Sequence, residues 1–223
     1  MNFDKEKYDT YIAQGLCAGM HSDSGQVCIE AAISLALGEG LRDEPSCVHP
    51  RISELTITLN DNEWSSSEAR AQGLYKLGLA QLGTRVGAKY ILYGNIASHM
   101  LDKIIKRKVL PALKTIYTEP QYQEELAKLE ERSDLLRLRN FTTFCDRRLT
   151  MVIGLDTLNS NLYHHYFLSA LSNIKLLQKA DPILTDEDLV YVADLATETL
   201  EELGHSNEFD SIWKKQKETT HEV

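Results

Sequence analysis

No run of apolar residues in this chain approaches the roughly 20 that a membrane-spanning helix needs, so the sequence predicts no membrane span. The opening residues, MNFDKEKYDTY, carry no basic segment followed by an apolar core, which predicts no secretory signal. Cysteine is scarce. The four present among 223 residues (Cys17, Cys28, Cys47 and Cys145) are too few for a disulfide scaffold. These absences together predict reduced thiols in a cytoplasmic protein. Positive charge is also short, with Lys+Arg at 24 against Asp+Glu at 33 and a net charge of −9. Phosphate binding is driven by basic surface, so this balance argues against nucleic acid and anionic membrane as partners. The chain also lacks a Walker loop, a G-x-G-x-x-G after a strand, an H-E-x-x-H and a G-x-S-x-G.

What is present is helical pattern. Residues 5–18 place Tyr8, Ile12 and Leu16 near helical spacing ahead of Gly19. Residues 27–37 are almost wholly apolar, which predicts a helix buried on most sides, stopped by Gly38 and Gly40. Residues 52–59 fit both periods. Ile52, Leu55 and Leu59 read as a helix, whereas Leu55, Ile57 and Leu59 between threonines read as a strand, and the lack of a partner strand favours the helix. Ser65 with Glu68 makes a capping-box pattern before Leu74, Leu77 and Leu82, with Gly83 as the stop. Residues 90–117 predict a long helix kinked or broken at Pro111, and 120–138 a charged helix with i,i+4 pairs. Residues 140–179 predict a long apolar helix bent near Gly154 or Asn159–Asn161, and 185–204 one capped by Thr185 and closed by Gly204. A short docking segment through Phe209, Ile212 and Trp213 follows. The fold class expected is all-α, an irregular bundle of roughly eight helices. Residues 1–217 read as one domain with a subdivision near 118–121 as the alternative, and 218–223 as a disordered tail.

One stretch gathers chemistry. HSDSGQVCIEAAISLALGEGLRDEPSCVHP, residues 21–50, spaces two histidines and two cysteines as His21-x6-Cys28-x18-Cys47-x-His49. Zinc favours four such nitrogen and sulfur ligands in a tetrahedron, so these four residues are the candidate zinc set. The spacing matches no paired C-x2-4-C ribbon or finger, and a buried Cys28, a half-buried Cys47 and two loop histidines explain it more simply. Cys28 also stands where a helix begins, and a thiol in the first turn is acidified by the dipole and by unpaired N–H groups. A hydrolase-type nucleophile at Cys28, with His21 or His49 as base and Asp43 to orient it, is therefore the catalytic alternative. Against it, IEAAISLAL is an interior helix, where Cys is an ordinary residue.

Glu30 is a carboxylate on that same apolar helix. Either it reaches solvent from the first turn, or burial demands a partner such as Arg42, Arg51 or Arg70. LDKIIKRKVLPALK gathers Lys103, Lys106, Arg107 and Lys108 into the chain's concentrated basic stretch, a candidate binding surface for an anionic ligand or an acidic partner. A solvated helix face explains it as simply. His164 and His165 are neighbours, so a helix turns them about 100° apart and denies them the i,i+4 geometry of a helix-borne metal pair.

GQVCIEAAISLALGE, then DEPSCVHP, LND at 59–61, Trp64 and LGT at 82–84 resemble a family of bacterial, notably actinobacterial, and phage proteins over about residues 15–85. The resemblance implies a phage or mobile-element setting in which a host component is bound, and it carries no activity. This chain departs from that family in its second half, which is not alanine-rich, and in Glu30, which stands one residue before the Glu of some relatives. The leading functional expectation is a non-enzymatic helical binding protein, acting on a protein or small-molecule partner and able to form a homodimer through apolar helix faces. No cofactor is expected beyond the zinc alternative.

Overall fold

The computed structural model describes residues 2–85, 96–131 and 163–203. Among these the regular structure is helical, as expected, and the extended chain before the second helix adds only isolated bridges of Leu16 and His21 with Val27. In chain order the helices are α1 (Lys5–Ala13), α2 (Ile29–Ala36), α3 (Pro50–Asn60), α4 (Ser67–Ala80), α5 (Ile96–Ile104), α6 (Leu110–Ile116), α7 (Pro120–Glu131), α8 (Tyr163–Leu177) and α9 (Asp186–Glu202). A π-helical turn, Ile105–Val109, joins α5 to α6. None of the described helices is long and apolar enough to cross a membrane. Two compact units divide the chain, Met1–Ile96 with Thr185–Val223, and Ala97–Leu184.

In the first unit α1 is capped by Asp4, whose carboxylate accepts from Lys7 N at 3.0 Å. It ends at Gly15 rather than at Gly19. Gly15 has φ +79°, and a Cβ there would stand 2.8 Å from Ser67 Oγ, so only glycine lets the chain turn beneath the start of α4. Leu16 N then donates to Ser67 O at 3.0 Å. The ambiguous segment 52–59 is helix. His49 Nδ1 accepts from Arg51 N, Pro50 occupies the first turn, and Ile52, Leu55 and Leu59 share the buried face. Its two threonines bond back to carbonyls one turn earlier, Thr56 to Ile52 O at 3.0 Å and Thr58 to Glu54 O at 2.8 Å.

The cap of α4 is Ser66, one residue later than expected; its hydroxyl accepts from Ala69 N at 3.0 Å. Ser65 instead donates its N–H to Asp186 Oδ1 at 2.9 Å and its hydroxyl to Asp186 Oδ2, tying the start of α4 to the start of α9. The capping box expected at Thr185 forms with Asp188. Helix α9 packs chiefly along α4. Two glycines allow close approach. A Cβ at Gly73 would lie 2.5 Å from the Trp64 ring, and one at Gly78 would meet the Tyr8 hydroxyl and stand 2.9 Å from Ile29 Cδ1. Tyr8, Leu16, Ile29, Ile33, Leu59, Leu74 and Leu77 are fully buried and form the core of this unit, with Leu189, Val192 and Leu200 from α9.

In the second unit the interruption expected at Pro111 is a widened turn, not a break. Proline has no N–H, and its ring crowds the carbonyl four residues back, Arg107. The π turn just ahead of it, with Leu110 N bonded to Ile105 O, relieves both problems while the helix continues. Helix α7 carries the expected pairs, Lys128 reaching Glu125 at 2.7 Å and Glu124 at 3.5 Å. Lys114 crosses from α6 to Glu130 on α7 at 2.7 Å. Helix α8 buries Phe167, Leu168, Ala170, Leu171 and Ile174, and Lys179 takes the left-handed position after it, φ 58°. The expectations for 132–162 and 204–223, including Cys145, the bend near Gly154, Gly204 and the segment with Trp213, lie outside the described residues. So do the side chains of His164 and His165.

Candidate functional site

Helix α2 is short and apolar, and two side chains hold its start. Cys28 is the N-cap, not a first-turn residue as expected, and its Sγ accepts from Ala31 N at 3.3 Å. Asn60, at the end of α3, accepts from Ile29 N at 3.2 Å and donates to Cys17 O at 2.9 Å. The N–H groups that were expected to acidify the thiol therefore act differently: they donate to the neutral sulfur of Cys28 and to the buried amide oxygen of Asn60. Burial pushes the Cys28 thiol up to about 12, and the Glu30 and Asp43 carboxylates add to the rise. Near neutral pH Cys28 is a thiol. The acidified nucleophile read from the sequence is corrected on this point.

His49 is 4% exposed and is the N-cap of α3, an acceptor role that needs a neutral ring nitrogen. Its burial, with Arg51 and Arg85 nearby, lowers its pKa, and the backbone N–H of His49 donates to Thr84 Oγ1 at 2.8 Å. His21 is exposed at its bridge to Val27. Cys47 is a half-buried free thiol, raised by burial. Asp43 is half-buried in the loop between α2 and α3. Among the described residues no three His, Cys, Asp or Glu side chains converge where a metal ion could be held. His21, Cys28, Cys47 and His49 are thus not brought together as the zinc set requires, because Cys28 and His49 are committed as caps of two different helices. Lys106, Arg107 and Lys108 are exposed on the π turn and Lys103 is half-buried, with Lys106 paired to Asp102 at 2.8 Å.

Buried polar groups stand instead on α2, on α3 and at the end of α4, three helices that pack against one another. Glu30 is 0% exposed, and neither carboxyl oxygen has a hydrogen-bond partner. The solvated reading of Glu30 is overturned. So is the arginine partner, since Arg42 lies 4.0 Å from Glu39, Arg51 pairs with Glu54, and Arg70 donates to Leu16 O and Asn62 O. Burial raises the Glu30 carboxyl to about 8; the nearby Gln81 amide offsets part of the rise and Asp43 adds to it. Gln81 stands near enough to act on that carboxyl but outside hydrogen-bonding geometry, and its Nε2 is itself unpaired. On its other side the Gln81 amide oxygen lies 3.2 Å from Thr56 Oγ1. Ser34, one turn beyond Glu30 on α2, and Ser53, one turn before Thr56 on α3, are buried with unpaired hydroxyls.

No protein-family model, curated protein or solved structure matches the chain. Its chemistry is read from its own residues.

An unpaired buried polar group costs about 1–3 kcal/mol, and a buried carboxyl more when it ionises. Glu30, Ser34, Ser53 and Gln81 each carry such a group. Sequence reasoning singled out Glu30 but missed Ser34, Ser53 and Gln81. Small polar residues at buried positions of helical pattern were the available signal: Ser34 interrupts an apolar run, and Ser53 falls next to Ile52 on the inward face.

Proposed function

We propose that this chain is a non-enzymatic helical binding protein whose binding centre is the polar junction of α2, α3 and α4 in its first unit. The observation that carries the reading is Glu30, fully buried with both oxygens unpaired, beside the equally unpaired Ser34, Ser53 and Gln81. Such a set destabilises an empty fold and is repaid when a guest supplies the missing partners. The enclosure selects a compact, polar small molecule or ion. A protein partner engaged elsewhere, a host component in a phage or mobile-element setting, and a homodimer are compatible with this role. The buried, unacidified thiol of Cys28 and the capping role of His49 favour this reading over the catalytic alternative at Cys28 with His21 or His49 as base.

Thermal melting against a panel of compact polar molecules and ions tests the proposal. At least one class raises Tm for the wild type and for Cys28→Ala, and the rise disappears in Glu30→Gln. A panel without any effect contradicts the proposal, and so does a rise that survives Glu30→Gln but is lost in Cys28→Ala.

A further inference from the structure

His49 makes two hydrogen bonds at the head of α3, and one of them depends on its protonation state. The ring Nδ1 accepts from Arg51 N at 3.1 Å and caps the helix. A ring nitrogen accepts only while it carries no proton, and an imidazolium has a donor at both nitrogens. The backbone N–H of His49 donates to Thr84 Oγ1 at 2.8 Å, and the Thr84 hydroxyl donates in turn to Gln81 O at 2.7 Å. Beside this chain of bonds, Arg85 N donates to Cys47 O at 2.9 Å. Residues 47–49 are therefore tied to the end of α4 at both their first and last positions, with Val48 buried in between.

The surroundings oppose a charged ring. His49 is 4% exposed, and Arg51 from its own helix and Arg85 from beyond α4 already bring positive charge. Glu54 on α3 would favour the imidazolium, but it is paired with Arg51 at 3.1 Å. A proton on Nδ1 turns the capping contact into two N–H groups that face each other. The ring relieves that contact by turning out to water, and the first turn of α3 loses its cap.

We propose that His49 is an acid-sensitive latch: its neutral ring holds the head of α3 closed, and protonation detaches residues 47–49 from the end of α4 and uncovers the Cys47 thiol. The latch works whether or not Glu30 meets a guest. Its direction follows from proton counting. Burial and the two arginines lower the folded ring from the ordinary 6.5, so the closed state is fully favoured above 6.5 and loses ground as pH falls below it. Glu30 acts in the opposite sense, weakening the fold as pH rises, so it does not imitate an opening driven by acid.

Thiol labelling of the full chain tests the latch. The reagent is a dipyridyl disulfide, which reacts in acid; mass spectrometry after digestion reads each cysteine, and rates are divided by that of free cysteine at the same pH. From pH 7.5 to 5 the normalised rate at Cys47 rises, by up to about tenfold per pH unit, while buried Cys17 and Cys28 keep theirs. In His49→Asn, whose side chain caps a helix without titrating, Cys47 stays at its neutral-pH rate. Hydrogen-exchange protection of the Arg51 amide needs no variant, and in the wild type it falls over the same range. A flat normalised rate at Cys47 overturns the latch. So does a rise that persists in His49→Asn, a rise shared equally by Cys17 and Cys28, or an Arg51 amide that stays protected.

Discussion

Glu30 shows how one side chain changes meaning with its surroundings. In the first turn of an exposed helix a glutamate favours the dipole and stays ionised. Here the same position is sealed, and burial raises its carboxyl from 4.5 to about 8. The sign of the consequence follows from proton counting. Below pH 4.5 both folded and unfolded chains hold the proton, and the contribution of this group to stability is fully present. Between 4.5 and 8 the unfolded chain has lost the proton while the folded chain keeps it, so stability falls as pH rises, by up to about 1.4 kcal/mol per pH unit. Above about 8 the decline from this group ends. Denaturant melts of the wild type from pH 5 to 8.5 therefore show a decline that Glu30→Gln largely removes. Parallel profiles for the two proteins would mean that the carboxyl is solvated or paired. Residue identity and helical context made Glu30 conspicuous in the sequence, but its isolation depended on where Arg42, Arg51 and Arg70 reach, and side-chain reach leaves no trace in spacing.

At the scale of elements, local punctuation was the most legible feature. Gly38, Thr185 and the apolar periods of α3 and α9 mark their elements in the structure much as the sequence predicts. Displaced boundaries have tertiary causes. Helix α1 stops at Gly15 because the chain must pass under Ser67, and α4 starts at Ser66 because Ser65 is taken by Asp186, 121 residues away. Helix α2 begins only after Cys28 because sulfur caps it, a role for which serine or aspartate is the usual choice. Pro111 is accommodated because five residues ahead of it widen to a π turn, which no period in the sequence encodes. Asn60 is the joint of the site's own elements: from α3 it holds the head of α2 and the chain at Cys17. Asn60→Ala leaves a buried N–H and a carbonyl unpaired, and it costs roughly 2–3 kcal/mol in denaturant melts. A change below about 0.5 kcal/mol would show that water takes its place and that the head of α2 is not fixed by this amide.

At the scale of the whole molecule, the all-helical class was legible because periodicity and caps repeat along most of the chain. The division into two compact units was not, since the first unit recruits α9 from the far end of the sequence and encloses the second in chain order. Of the candidate residues only Glu30 and Ser34 fall within the stretch that drew attention for its cysteines and histidines, Ser53 and Gln81 lie beyond it, and their chemistry is that of carboxyl, hydroxyl and amide rather than of sulfur and imidazole. The measurement that tests the account most directly is a crystal structure of the wild type grown with the compact polar molecule or ion that raises its Tm, resolved finely enough to show internal solvent. The account predicts a guest in contact with the Glu30 carboxylate and the Ser34 hydroxyl, and its loss in Glu30→Gln crystals. A junction closed without any guest, with Glu30 hydrogen-bonded directly to Gln81 and the serines bonded to backbone carbonyls, would contradict it.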